Sequence, residues 1–159
     1  MTAHRESVDV ANLLLRGLHR GYAEIVSEVR RLDERGARAV AETGWSLRDH
    51  VAHLSAWEAV EVARAEGRSG IGEQLNVLWE AAWCRGRHTS LGEAMESFAK
   101  VHRRLVAVLT DTPDAVLRRP WHPAYPDTLA MNIARNTYRH YAEHLALLRV
   151  EDGSACAAC

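Results

Sequence analysis

The stretch "NTYRHYAEHLALL" carries His140 and His144 four residues apart. On a helix, imidazoles at i and i+4 sit about 6 Å apart on one face and can chelate a single ion. At about 100° per residue, Leu129, Ile133, Tyr141, Leu147 and Leu148 project onto one stripe of this helix. Both histidines fall inside that stripe, and Arg135, Arg139 and Arg149 occupy the opposite face. Interior histidines hydrogen-bonded within a bundle would give the same projection. A zinc-like ion, however, usually needs three protein ligands, and this pair supplies two of them. The stretch "DHVAHLSAW" offers the third. His50 and His53 both lie toward its Trp57 side, and periodicity does not choose between them.

Other side chains could take part in chemistry. "HYAEH" also fits H-x-x-E-H, in which Glu143 would be a general base. Glu143 nevertheless projects about 100° around the helix from His144, which suits a solvated rim carboxylate better. Glu58, Glu61 and Asp49 on the preceding histidine-bearing segment are alternative bases. Tyr141 could donate a hydrogen bond to a polarised substrate, or it could be a core tyrosine with a satisfied hydroxyl. Trp45, Trp57, Trp79, Trp83 and Trp121 could wall an aromatic pocket or simply pack the core. His122 in "PWHPAYP" is either part of a lid or a plain loop residue. Arg85, Arg87 and His88 make a basic cluster suited to an anionic ligand or to a solvated turn.

These residues must be positioned by helices. Prolines are confined to "TPDAVLRRPWHPAYPD", which reads as a loop with at most one short helical turn. Helical spacing of Val10, Leu13, Leu14, Leu18, Tyr22, Ile25, Val29 and Leu32 predicts a first helix over about 7–33, stopping near Gly36. Ser46 and Asp49 form a capping box that opens a second helix running to about Glu66. A short helix, "EQLNVLWEAAWC", is expected next. Ser90 and Glu93 open a third long helix with Phe98, Val101, Leu105 and Val108 on its apolar face. Asp127 or Thr128 caps the last, which extends to about Val150. The long loop between the third and last long helices is the expected place for a crossover, so the topology need not be up-down-up-down.

Composition narrows the function classes. The chain has 159 residues, 47% hydrophobic and 26% charged, which suffices for one domain with its own core. A net charge of −1 offers no basic patch for nucleic acid. Lys100 is the single lysine beside many arginines, a composition that hints at a GC-rich bacterial genome. No apolar run resembles a secretory leader or a membrane span, so a cytoplasmic protein is expected. Cys84 stands alone, and Cys156 and Cys159 lie in the tail "SACAAC", expected to be disordered over 151–159 rather than a redox or metal motif.

A Trp-Ser pair at a helix start followed by a histidine, in "GWSLRDHVAHLSAWE", and the paired histidines of "NTYRHYAEHLALL" resemble the DinB/YfiT-like superfamily. Its members are four-helix bundles in which one histidine of the second helix and two of the last surround a divalent metal. By that resemblance the ligands are His53, eight residues after Trp45, with His140 and His144; His50 becomes a neighbour. "LNVLWEAAWCRGRHTSLGEAMESF" and "DAVLRRPWHP" are similar to the branch of bacterial self-resistance proteins that includes a colibactin-resistance cyclopropane hydrolase. The similarity spans roughly residues 8–150. The superfamily also contains metal-dependent thiol transferases that use mycothiol or bacillithiol, and a maleylpyruvate isomerase.

The expectation is therefore an all-α, DinB-like four-helix bundle over residues 1–150, with a long crossover connection and one extra short helix. Its divalent metal would be zinc, nickel or iron, which neutral imidazoles suit similarly. The implied activity is that of a metal-dependent hydrolase or thiol S-transferase acting on a small electrophile, the latter with an external low-molecular-weight thiol. Glu143, Tyr141 and Glu58 are the candidate catalytic groups. The rival expectation is a non-catalytic protein that sequesters a small molecule in a Trp-lined centre, as in self-resistance. A structural or dimerising bundle is the third, and a homodimer is compatible with all of them.

Overall fold

Ser46 and Ser90 each open a helix in the manner their spacing predicts. In both, the serine hydroxyl accepts the backbone N–H three residues on, while the acidic side chain there accepts the serine's own N–H. The computed structural model describes residues 9–36, 44–68 and 90–154, and all regular structure among them is helical. Helix α1 spans Val10–Glu34, α2 Leu47–Ala65 and α3 Leu91–Asp111. The four-residue α4, Asp114–Leu117, is the helical turn foreseen in the proline-rich loop. Thr128 caps α5, Leu129–Ala134, which passes through a π-helical segment, Arg135–Arg139, into α6, His140–Ser154. The expected short helix with Trp79 and Trp83, the Arg85–His88 cluster, Cys84 and the Cys156/Cys159 tail lie outside the described residues.

The first helix starts three residues later than periodicity suggested, because Asp9 caps it. Its carboxylate takes the Asn12 N–H, and its carbonyl takes that of Leu13. Asp114, from α4, accepts the remaining free donors, Val10 N–H at 3.0 Å and Ala11 N–H at 3.1 Å. These bonds hold the Asp114 carboxyl below its usual range. Gly36 and Gly67, at φ 74° and 69°, end α1 and α2 in the left-handed region.

Contacts between helices give their directions. Ser55 meets Ser97, Glu58 meets His102 and Glu66 meets Arg104, so α2 and α3 are parallel. Gly17 faces Tyr138, Gly21 faces Tyr141 and Glu24 faces Arg149, so α1 and α6 are parallel too. The order is thus up-down-down-up. The expected crossover exists, but its place needs correction. The chain leaves α2 at one end of the bundle and resumes α3 at the other, so the crossover falls between these two parallel helices. The proline-rich loop stays at one end, pinned by Leu129 N–H to the Arg119 carbonyl at 2.8 Å and a Pro120–Thr128 bridge.

Two apolar clusters fill the bundle. One gathers Ile25, Val29, Leu54, Phe98, Tyr141 and Leu148; the other gathers Leu18, Leu105, Leu109, Leu117, Leu129 and Ile133. Tyr138 touches both. Gly21 allows α6 to approach α1: an added Cβ would lie 2.7 Å from Tyr141 Cδ2 and 3.2 Å from Tyr138 Cβ. Alanine gains about 1 kcal/mol of helix propensity over glycine, whereas overpacking costs about 1–3 kcal/mol. Because Tyr141 is fully buried and cannot yield, overpacking wins. Gly21→Ala is therefore expected to lower the urea midpoint, whereas Gly92→Ala, whose nearest neighbour would be 3.8 Å away, should leave it unchanged or raise it.

Candidate metal centre

The last helix does not run as one continuous projection. Thr137 Oγ1 donates to the Ile133 carbonyl at 2.6 Å, and Thr137 itself leaves helical geometry at φ −120°, ψ −107°. A hydroxyl competing for the i−4 carbonyl bends a helix, and the π-type turn that results holds one extra residue. That extra residue sets the following side chains back by roughly 100°. Tyr141, Leu145 and Leu148, all buried, therefore continue the core stripe of Leu129 and Ile133. The histidines leave the stripe where the straight projection put them and line up with Asn132 and Asn136 against α2. In an unbroken α-helix, four residues spaced by four would drift by about 120° over the run. Here Asn132, Asn136, His140 and His144 all reach α2.

Because α2 is antiparallel to α6, the partners pair in reverse order. His50 meets His144, His53 meets His140, and Glu61 meets Asn136 and Asn132. His140 Nε2 lies 3.2 Å from His53 Nε2 and 3.2 Å from His144 Nε2. All three ligand nitrogens fall within 4.8 Å of one another, an arrangement that could hold a metal ion. Nitrogens about 2.0–2.1 Å from a tetrahedral zinc are separated by about 3.3–3.4 Å, close to the 3.2 Å between His140 and each of the other two. His50 is brought beside the cluster, but its Nδ1 is turned to His144 Nδ1 at 2.7 Å.

The surroundings keep these rings uncharged and able to offer lone pairs. Burial, reinforced by repulsion from His140 and His50, pushes His53 down to about 3. Burial and the neighbouring histidines push His144 to about 2. Burial also lowers His140, with the Glu143 charge pulling the other way. Trp45 packs within 5.1–6.0 Å of the His50, His53 and His144 rings, and Trp57 touches His53 and His140. Two of the five tryptophans therefore wall the cluster, and a third, Trp121, stacks on Tyr125 and carries the Arg64 guanidinium at 4.5 Å. His122 is exposed and meets Trp121 and Tyr125 within that loop.

Of the three candidate catalytic groups, Tyr141 and Glu58 are bonded away from the cluster, whereas Glu143 acts on His140 through its charge alone. Glu143 is exposed. The Tyr141 hydroxyl donates to Glu58, and its ring packs on Phe98. Glu58 is fully buried and also bonds His102 Nδ1 at 2.8 Å, on a ring stacked against Tyr22. Asp49 is engaged in its capping box. Glu61 is committed as well, to Arg64, Asn132 and Asn136. Burial raises its carboxyl, and those donors offset part of the rise. Glu61, expected from its place on the histidine-bearing segment as an alternative base, is thus the centre of a clamp beside the π turn.

Residues 18–147 match the DinB superfamily. No curated protein matches the chain. A crystal structure of an uncharacterised protein from Escherichia coli UTI89 is similar in fold, with a TM-score of 0.75 and 21% identity, covering 94% of this chain and 96% of that one. No described helix is long and apolar enough to cross a membrane.

Proposed function

The chain belongs to the DinB superfamily, and from that premise we propose that His53, His140 and His144 hold a divalent metal ion and serve a metal-dependent reaction on a small electrophile. The observation that carries this reading is the convergence of three Nε2 atoms on one point, with His140 at 3.2 Å from both others. Neutral imidazoles in a water-poor recess cannot all satisfy one another there, since each ring has one donor and one acceptor. A cation satisfies all three lone pairs together. Zinc, nickel and iron each suit this donor set.

Bound there, such an ion supplies Lewis acidity and makes water or a thiol a competent nucleophile at neutral pH. The protein's own part is to exclude bulk water with Trp45 and Trp57 and to hold the imidazoles in place. With Glu58, Glu61, Tyr141 and Asp49 all engaged elsewhere, hydrolysis or S-transfer from an external low-molecular-weight thiol are the reaction classes that remain natural. The resemblance of "DAVLRRPWHP" to the self-resistance branch supports a reactive small molecule as the substrate class.

The test is metal content of untagged protein reconstituted with zinc, nickel or iron. Near one equivalent per chain is expected. His140→Ala and His53→Ala should each weaken binding about a hundred- to a thousand-fold, since the roughly 10–16 kcal/mol of a four-ligand zinc site is shared among its ligands. Failure of the wild type to bind any of the three would overturn the proposal. If metal binds but no electrophile turns over with either water or thiol, the sequestering role takes its place.

A further inference from the structure

His50 and His144 approach through the same atom of each ring. Their Nδ1 atoms are 2.7 Å apart, and the residues are 1% and 6% exposed. At that distance one Nδ1 must carry a proton and the other a lone pair. Two assignments exist, and they differ in what they leave for His144 Nε2. If His50 donates, the His144 proton sits on Nε2, aimed at His140 only 3.2 Å away, and His144 has no lone pair for an ion. If His144 donates, its Nε2 lone pair faces the cluster, and His50 must bear its own proton on Nε2.

We infer that His50 is a positioning residue for the metal centre: its Nδ1 accepts from His144 Nδ1–H, fixing the ring and tautomer in which His144 can ligate through Nε2. The inference rests on the metal reading above. A ligating histidine normally gives its second N–H to a carboxylate, a carbonyl or water. Here a second imidazole fills that role, so the support carries no formal charge and leaves the ion's own charge undiminished. Trp45, 5.3 Å from His50 and 6.0 Å from His144, packs against both rings of the pair. His50 is three residues before His53 on the same helix, so one rigid element presents both a ligand and the support of another.

Long-range proton–nitrogen NMR on zinc-loaded, nitrogen-15-labelled wild-type protein reads the tautomers directly and needs no variant. The expected pattern is Nδ1–H on His144 and Nε2–H on His50, with zinc shifting Nε2 of His53, His140 and His144 and neither nitrogen of His50. Chelator competition should show zinc affinity reduced about 10–100-fold in His50→Phe with stoichiometry still near one. His50→Gln, whose side-chain carbonyl can accept the same bond, should recover part of the loss. A zinc-shifted nitrogen on His50 would make it a ligand and overturn the inference, as would unchanged affinity in both variants. A wild type that binds none of zinc, nickel or iron sinks the metal reading itself, whereas a zinc-loaded wild type with the opposite tautomers overturns this inference alone.

Discussion

Replacing Glu61 with alanine is expected to lower stability by about 3–5 kcal/mol, because it strands a buried guanidinium and two amides at once. The Arg64 side chain is 7% exposed and loses its ion-pair partner. Asn132 and Asn136 lose the acceptor for their Nδ2 groups, bonded at 3.2 and 2.7 Å. For a chain of this length each kcal/mol shifts Tm by roughly 2–4 °C, so a fall of about 10 °C is expected in thermal unfolding. The same change frees the π turn, since Asn136 lies inside it and His140 follows directly. Zinc affinity should therefore also drop, by about tenfold, a value typical of lost outer-shell support. Leu109→Ala makes the control: a fully buried residue of the far cluster, whose loss costs about 2–5 kcal/mol. At matched stability, Leu109→Ala should keep zinc affinity where Glu61→Ala loses it. Equal affinities in the two variants would reduce Glu61 to a stabilising residue only.

The second large effect belongs to Glu58. Its one oxygen accepts both the Tyr141 hydroxyl and His102 Nδ1 in a site with no solvent exposure. The Tyr141 hydroxyl is pushed well above its usual pKa, first by burial and then by the Glu58 charge and bond. It therefore stays a donor across the accessible pH range. Glu58→Ala removes the acceptor from two buried groups and is expected to cost about 3–5 kcal/mol by urea unfolding. Tyr141→Phe deletes only one bond and leaves His102 in place, so about 1–2 kcal/mol is expected. Glu58→Gln keeps an acceptor oxygen of similar shape and should fall between the wild type and alanine. An alanine variant within about 1 kcal/mol of the wild type would mean that water replaces the carboxylate, and that this network is ornamental to the fold. Metal content should survive all three changes, because neither Glu58 nor the Tyr141 hydroxyl meets the histidine cluster.

The elements were legible because their signals are local. Ser46–Asp49 and Ser90–Glu93 are satisfied within one helical turn, so their capping boxes form wherever those helices go. The apolar periodicity of α1 and α3 likewise marked the buried faces that carry Leu18, Ile25, Phe98 and Leu105. The second helix was harder: its inward side mixes His50, His53, Glu58 and Glu61 with Val51 and Leu54, and hydropathy is silent on paired polar groups. The choice between His50 and His53 could not come from spacing for that reason. Which of the two faces His140 is set by the packing partner, since antiparallel α6 lays His140 against His53 and the Nδ1 side of His144 against His50.

Sequence by itself determined that the long described segments are helical, where two of them begin and that the second and last helices each carry a pair of histidines; that these pairs meet was implied only by the family resemblance. Only the tertiary structure decided the crossover, the fate of the carboxylates and the angular position of His140 and His144. The physical reason is that each depends on bonds between residues far apart in the chain, or on a break in helical phase. A single hydroxyl, that of Thr137, redirects the whole following helix by about one residue's rotation. Periodicity assumes an unbroken phase and cannot see the break until α1 and α2 close around it.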